Sequence, residues 1–268
     1  VVACIDKPTM QFVNPLLKRK AFIWWNFPVS DYVRDRLLLG AVYGNGTDID
    51  DDISAFISNP MEHAEASKIA LFSIADYAWN MDAYKSDASW RRAVRYLMPG
   101  HAAALQVFAS HNSDLGGNEH DFRREESEQI RPALERLLDA YCREGKREVA
   151  AASAVTEECE RMIASADLLL ASDENPALIK EITPWLIQFK LLGEYGREVL
   201  CMLAAQCDGK KTELEKAASH AKALQVLMKK IDATYNQNGF QPGVKTGSCH
   251  LKPAFDRLYQ EVVQRTGK

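Results

Sequence analysis

The run Ala21-Phe22-Ile23-Trp24-Trp25 contains no polar side chain and closes on Asn26-Phe27-Pro28. A strand with one wet face alternates polar and apolar residues. An unbroken run therefore predicts a strand buried on both faces, as in a parallel sheet covered by helices. A second short run, Ile53-Ser54-Ala55-Phe56-Ile57-Ser58, stops at Asn59-Pro60. The asparagines that end the two runs, Asn26 and Asn59, stand 33 residues apart, about one strand–helix unit. Between them Ser30 or Asp31 is placed to cap a helix running through Tyr32, Val33 and Leu37-Leu38-Leu39, and a loop rich in Gly, Asn and Asp follows from Gly44 to Asp52. Val1-Val2-Ala3-Cys4-Ile5 reads as another strand, already under way at the first residue. It starts without Met and without the segments of a signal peptide, so the chain is expected to begin inside a longer protein with any targeting signal out of view.

After Met61 the period changes from two to three and four. Ile69, Phe72 and Trp79 mark one face of a helix, and residues 88–110 read as another with a break at Pro99-Gly100. His111 to Asn118 is a loop by composition. Four strongly periodic helices follow. Their stripes are Ile130, Leu134, Leu137, Leu138 and Tyr141; then Val155, Cys159, Met162, Ile163, Ala166, Leu169 and Leu170. Ile182, Leu186, Phe189, Gly196, Leu200 and Leu203 form the third, with Pro184 either a kink or a first-turn residue. Leu214, Ala217, Ala221, Leu224, Met228 and Ile231 form the fourth, and a turn at 238–243 precedes a last helix over 253–264. Such helices make an antiparallel bundle the expected architecture.

Composition narrows the function classes. A net charge of −4 gives no basic surplus for nucleic acid or an anionic membrane. No apolar run approaches the ~18 residues of a membrane span. The six cysteines form no Cys-x-x-Cys pair, and Cys159 and Cys201 fall on apolar helical faces as small buried hydrophobes. The six histidines lack metal-ligand spacing with an accompanying Glu base, so no metal and no cofactor is assigned. His63 reads as a helix-start residue. Gly40 to Gly46 carries no phosphate-binding fingerprint, and no nucleophile elbow is present.

In parallel α/β sheets the functional side chains lie at the C-terminal ends of the strands. That singles out Trp24, Asn26 and Asp31 after one run and Asn59 after the next. An indole stacks on a pyranose face, and Asp and Asn make directed bonds to hydroxyls. On pattern alone the same residues also read as a buried Trp, a capping Asp31 and a turn-forming Asn59. Asp50-Asp51-Asp52 lies on the N-terminal side of its strand, the wrong end for such a site, and a calcium loop there would lack its bidentate Glu.

The stretch from Ile23 to Tyr32 (IWWNFPVSDY), with Leu37-Leu38-Leu39-Gly40 and Ser58-Asn59-Pro60-Met61-Glu62, resembles glycoside hydrolase family 84, the β-N-acetylglucosaminidases that include bacterial enzymes often labelled hyaluronidases and the O-GlcNAc hydrolases. Ile69–Asn80, His111–Gly116, Arg124-Glu125-Glu126-Ser127, Glu181-Ile182-Thr183-Pro184-Trp185 and Asn236–Thr246 resemble its bacterial members. The resemblance implies a retaining, substrate-assisted mechanism in which the 2-acetamido carbonyl attacks the anomeric carbon to form an oxazoline, an exception to the two-carboxylate scheme. Two adjacent aspartates on an earlier strand serve that chemistry in the family, and no such pair is found here. The catalytic residues are therefore expected upstream, none in this chain. Carried over, Trp24 walls the acetamido pocket and Asn26 sits beside the acetamido-orienting carboxylate. Asp31 accepts from the hydroxymethyl and 4-hydroxyl groups, Asn59 bonds ring hydroxyls, and Val1 or Val2 also lines the pocket.

The expected architecture is α/β plus all-α: the C-terminal part of a (β/α)8 barrel over residues 1–122, then a helical bundle over 123–268. The helices between 61 and 112 can be counted with either part. The implied partners are an N-acetylglucosamine-containing glycan or glycoprotein and the missing N-terminal part of the same polypeptide. Resemblance to bacterial members favours a secreted or periplasmic parent. The competing readings are a non-catalytic sugar-binding or helical interaction fragment and a degenerate, lectin-like homologue.

Overall fold

The computed structural model describes residues 5–113 and 124–266, so the strand expected at Val1–Ile5, with Val1, Val2 and Cys4, and the loop expected beyond Ser113 lie outside or largely outside the described residues. The described residues are mostly helical, with one small two-stranded sheet among them. It divides into two compact units, residues 1–125 with 172–181, and residues 126–171 with 182–268.

In the first unit, α1 (Lys7–Leu17) is started by Asp6, whose carboxylate accepts from the Thr9 backbone N–H at 2.9 Å and its hydroxyl at 2.5 Å. Lys18 ends it in the left-handed conformation (φ 53°). Strands β1 (Ala21–Pro28) and β2 (Ile53–Asn59) pair in parallel. Ser54 Oγ donates to the Ala21 carbonyl at 3.0 Å and Ser58 Oγ to the Phe27 carbonyl at 2.8 Å, adding side-chain rungs to the ladder. Helices α2 (Ala64–Trp79), α3 (Ser86–Leu97) and α4 (Ala102–Ser110) follow, with the break between α3 and α4 at Pro99-Gly100 as the sequence indicates. Trp25, Phe27, Ile49, Ile53, Ile74, Tyr77 and Tyr84 meet in one core. Trp25 lies at ring-centroid distances of 5.5 Å from Phe27, 5.9 Å from Phe56 and 6.2 Å from Tyr77.

Three expectations need correction here. Burial of β1 on both faces holds for one face only: Trp25 is 3% exposed, whereas Phe22 and Trp24 are 61% and 67% exposed. Side chains alternate across a strand, and among the described residues no layer covers the second face. The helix expected through Tyr32 and Leu39 is absent; residues 31–43 form turns and extended chain. Their polar backbone groups find partners elsewhere. The Leu39 N–H donates to the Asn112 carbonyl at 2.8 Å, the Leu39 carbonyl accepts from Trp90 Nε1 at 2.7 Å, and the Val42 N–H donates to Ser73 Oγ at 3.0 Å. With those bonds available, Leu37, Leu38 and Leu39 are all buried (1% exposed), which a single helical face could not achieve. On α2 the inward stripe is Ala66, Ile69, Ala70, Ser73, Ile74 and Tyr77, while Trp79 is 93% exposed. Tyr77 shares the face of Ile69 and Ser73 at steps of four, so Trp79 is turned away.

The second unit holds α5 (Arg131–Glu144), α6 (Val149–Leu170), α8 (Lys211–Thr234), α9 (Leu251–Thr266) and, from Ile182 onward, α7 (Pro176–Cys207). The four predicted stripes supply its interior: Leu137, Val155, Cys159, Phe189 and Ala221 are fully buried. Two glycines let α7 approach its neighbours. A Cβ on Gly193 would stand 3.0 Å from the Cys159 carbonyl oxygen, and one on Gly196 would stand 2.5 Å from the Phe255 ring and 2.8 Å from Cys159 Sγ. Tyr195 ties three helices, its hydroxyl donating to Asp256 Oδ1 at 3.0 Å and accepting from Gln225 Nε2 at 2.7 Å. The turn at 238–243 is closed by Asn238, whose Oδ1 accepts from the backbone N–H groups of Phe240 and Gln241. Pro184 falls in the interior of α7, well past its first turn. Cys201 is exposed rather than buried; it follows Leu200 by ~100° of helical turn and so leaves the Leu200–Leu203 face.

Candidate functional site

The ladder runs in step from Phe22↔Ala55 to Trp25↔Ser58, which carries Asn26 and Asn59 side by side to the C-terminal ends of their strands. The register then shifts, and Pro28 meets Asn59, leaving two extra β1 residues at the rim. Trp25 points into the core, so Trp24 and Asn26 necessarily share the opposite face. There Trp24 Nε1 donates to Asn26 Oδ1 at 2.8 Å, and Asn59 Nδ2 donates to the same oxygen at 3.2 Å. Three of the four residues singled out in the sequence are thus joined in one hydrogen-bonded cluster.

The chemistry of that cluster is constrained by the indole, which can only donate. The Asn26 atom facing it must be the carbonyl oxygen, and the Asn59 atom facing that oxygen must be the nitrogen. Asn26 is left with its two Nδ2 hydrogens to offer, and Asn59 with its Oδ1. A donor and an acceptor then stand side by side at the N–H edge of an exposed indole, a combination suited to the amide and hydroxyl groups of a sugar.

Asp31 is exposed, in the turn beyond β1, and is not bonded to the trio. Its backbone carbonyl accepts from Arg34 Nε at 3.3 Å, and Arg34 Nη1 lies 3.7 Å from Glu62 Oε2. Arg34 and Glu62 therefore link the loop of Asp31 to the loop beyond Asn59. The sequence carried no sign of that link, because two solvated charges in separate loops have no period or spacing. Both are well exposed, so the pair contributes at most ~1 kcal/mol.

His63 is the residue before α2. Its carbonyl accepts from the Ser67 N–H at 2.9 Å and from Ser67 Oγ at 2.8 Å, while Glu181 Oε1 caps the helix by accepting from the Ala66 N–H at 2.7 Å. Burial lowers the pKa of its imidazole against the opposing pull of Glu181 and Glu62. Asp50–Asp52 form a 3-10 turn leading into the N-terminal end of β2, with Asp51 and Asp52 near Lys20 and Lys7 at 3.9 and 3.6 Å. They lie at the opposite end of the strand from Asn59. Among the described residues no group of three His, Cys, Asp or Glu is placed to hold a metal ion, and no helix is long and apolar enough to cross a membrane.

Among the described residues of the second unit, two open grooves of about 340 and 400 Å³ flank Cys201. Small side chains such as Ala152 and Ala204 line the first, and charged ones such as Lys216 and Glu213 line the second. Neither contains an aromatic platform for a sugar or a network of bonded amides.

The chain is similar to known proteins along most of its length. Residues 1–110 match the family model described as beta-N-acetylglucosaminidase, and residues 126–259, half of the chain, match the bacterial GH84 post-catalytic domain. The protein O-GlcNAcases of Rattus norvegicus and Mus musculus are each 30% identical over 84 residues, which is 31% of this chain and 9% of those proteins. Among solved structures, CpGH84D is 27% identical with a TM-score of 0.83 over 96% of this chain and 42% of its own. CpGH84B, at 24% identity, gives a TM-score of 0.84 over 96% of this chain and 43% of its own. A Thermobaculum terrenum O-GlcNAc hydrolase mutant, at 20% identity, gives 0.74 over 99% of this chain and 53% of its own. The chain spans less than a tenth of the curated relatives and under half of the first two structures. With a family model on each unit and the same fold in these structures, the chain belongs to glycoside hydrolase family 84.

Proposed function

We propose that the polypeptide carrying this chain removes terminal β-linked N-acetylglucosamine from a glycan or glycoprotein, and that this chain contributes the sugar-binding rim rather than the proton-transferring groups. Residues 1–122 are the closing part of a (β/α)8 barrel and residues 123–268 a helical bundle. The observation that carries the reading is the Trp24–Asn26–Asn59 cluster at the C-terminal ends of two parallel strands, the end where such barrels place their chemistry. The open face of β1, with Phe22 and Trp24 uncovered, supports a barrel completed by residues outside the chain, since parallel sheets are ordinarily covered on both faces.

In this reading the substrate's 2-acetamido carbonyl oxygen bonds to the anomeric carbon as the glycosidic C–O bond breaks. A carboxylic acid from the missing part protonates the departing oxygen, and a second carboxylate holds the acetamido N–H. Water then opens the oxazoline, its proton passing back to the first carboxylate. Asn26 Nδ2 donates to the acetamido-orienting carboxylate, Asn59 Oδ1 accepts from a ring hydroxyl, Trp24 walls the pocket, and Asp31 accepts from the outer hydroxyls. The non-catalytic alternative applies to the chain in isolation, whose acidic run at 50–52 stands at the wrong strand end.

The test is hydrolysis of a fluorogenic β-N-acetylglucosaminide by the complete polypeptide and by the 268-residue chain alone. The complete polypeptide is expected to turn over, the chain alone not at all. Asp31→Ala should lower kcat/KM of the complete polypeptide by about ten- to a hundredfold, the loss of charge-assisted bonds to hydroxyls. Inertness of the complete polypeptide toward β-N-acetylglucosaminides would overturn the activity. Turnover by the chain alone, lost on Asp31→Ala, would overturn the division of labour.

A further inference from the structure

We infer that Trp24 is a positioning residue: its indole N–H sets which way the amides of Asn26 and Asn59 face, so that Asn26 presents only donors and Asn59 an acceptor to the bound sugar and its neighbouring carboxylate. This rests on the functional reading above but concerns a different property of the cluster from a hydrophobic wall. An amide side chain turned by 180° swaps donor for acceptor at almost no steric cost, so shape alone does not choose between the two. Asn26 and Asn59 alone could satisfy each other in either sense, nitrogen of one to oxygen of the other.

The third member removes that freedom. Trp24 Nε1 is 2.8 Å from Asn26 Oδ1, and an indole never accepts through that atom. If Asn26 turned, its NH2 group would face the indole N–H, and two donors would oppose each other. With Asn26 fixed, Asn59 has only its nitrogen to place at 3.2 Å from the same oxygen. Polarity is passed from one donor-only group through two ambivalent ones. The backbone enforces the arrangement from below. Trp25 is anchored against Phe27, Phe56 and Tyr77, so the strand cannot rotate Trp24 and Asn26 off their common face. Trp24 itself is 67% exposed, and the fold does not depend on its ring. Its N–H and its stacking face are thus separable by mutation.

Trp24→Phe keeps an aromatic face and deletes the donor. In the complete polypeptide this variant should lose about three- to tenfold in kcat/KM toward the aryl β-N-acetylglucosaminide, the worth of one neutral hydrogen bond. In the 268-residue chain, where the ring is exposed, thermal stability should not change. If the N–H works through Asn26, the same substitution made in an Asn26→Ala background should cost nothing further. An equal additional loss in that background would show that the ring, not its N–H, is what matters, and would overturn the proposal. So would an unchanged kcat/KM for Trp24→Phe alone.

A second measurement does not depend on turnover. In the 268-residue chain labelled with 15N-tryptophan, Asn26→Ala should shift the Trp24 indole N–H resonance and speed its exchange with solvent. An indole signal unmoved by Asn26→Ala would overturn the proposal whether or not the polypeptide is an enzyme. A wild-type polypeptide without β-N-acetylglucosaminidase activity, but with the indole signal shifted, would leave the polarity network standing and remove only the functional reading.

Discussion

Trp24 and Trp25 are adjacent in sequence and opposite in consequence, which makes the pair a direct measure of the strand's phase. Trp25 is 3% exposed and meets three aromatic rings; Trp24 is 67% exposed and its indole makes one hydrogen bond, to an exposed amide. Truncating a buried aromatic side chain to Ala costs about 3–5 kcal/mol, from lost transfer energy and the cavity left behind. Truncating an exposed one away from other constraints falls within about 0.5 kcal/mol. In the 268-residue chain, Trp25→Ala should therefore destabilise the first unit by several kcal/mol more than Trp24→Ala. Because the chain has two units, a single global unfolding curve would mix them. Hydrogen exchange of the β1 and β2 backbone amides isolates the relevant one. Equal losses, or a larger loss from Trp24→Ala, would refute the assignment of faces and with it the placement of Asn26. The same pair tests the proposed barrel. In the complete polypeptide the Phe22–Trp24 face is expected to be covered, so Trp24→Ala should there cost at least about 1 kcal/mol more than in the chain alone. No difference between the two contexts would mean that nothing is laid over this face.

Four further outcomes follow from the packing and the charges. Gly196→Ala adds helix propensity worth about 1 kcal/mol but drives a methyl to 2.5 Å from the Phe255 ring, which overpacking data put at about 1–3 kcal/mol. The net effect on urea unfolding of the second unit should be a loss, partly recovered in Gly196→Ala combined with Phe255→Leu. Gly209→Ala meets nothing within 4 Å and should cost only the ~1 kcal/mol of an Ala held at φ 69°. Asp6→Ala should cost about 1 kcal/mol at neutral pH through loss of the α1 cap. The Thr9 hydroxyl, and then its N–H, hold the Asp6 carboxyl below its ordinary value. The contribution is therefore complete above the unfolded carboxylate pKa and is lost as pH falls through the lower folded value, so wild type and variant should converge in acid once the folded carboxyl is protonated. A thiol reagent should modify Cys201 and Cys207 in the folded chain and spare Cys159, which is buried and pushed up to about 12. Mass mapping that finds Cys159 labelled first would contradict the described core.

What the sequence made legible is what repeats. Helices α5 to α8 were readable because each buries a stripe at steps of three and four, and Cys159 and Met162 fall on such a stripe regardless of what they face. Asn26 and Asn59 were readable because both end apolar runs, and the ladder that brings them together is in register from Phe22 to Trp25. Two kinds of feature were not readable. One is chain whose backbone bonds are supplied from far away. Residues 31–43 have a helix cap and a leucine cluster, but Asn112, Trp90 and Ser73 supply the partners that make an extended course preferable. The other is exposure decided by a neighbour: Trp79 and Cys201 each lie near a buried stripe but are turned off it by a fraction of a helical turn.

The Trp24–Asn26–Asn59 cluster stands between these cases, and it shows where a residue pattern stops being informative. The sequence could place three residues at two strand ends, but the direction of an amide is invisible in it, because Asn26 written in either orientation is the same letter. Direction enters only when a donor-only group is found at 2.8 Å. For a site whose substrate displays amide and hydroxyl groups together, that direction decides whether the rim matches the sugar or opposes it. A reversed amide pair would put Asn26 Oδ1 against any carboxylate beside it, and two acceptors in contact cost more than the loss of one bond. Asn26→Asp would impose a related conflict, an acceptor-only group where a donor is required. In the complete polypeptide it should lower kcat/KM more than Asn26→Ala, which removes the donor without adding an opposing charge. The opposite ranking, with Asn26→Asp the milder change, would mean that Asn26 serves as an acceptor toward the substrate, and the polarity argued from Trp24 would be wrong.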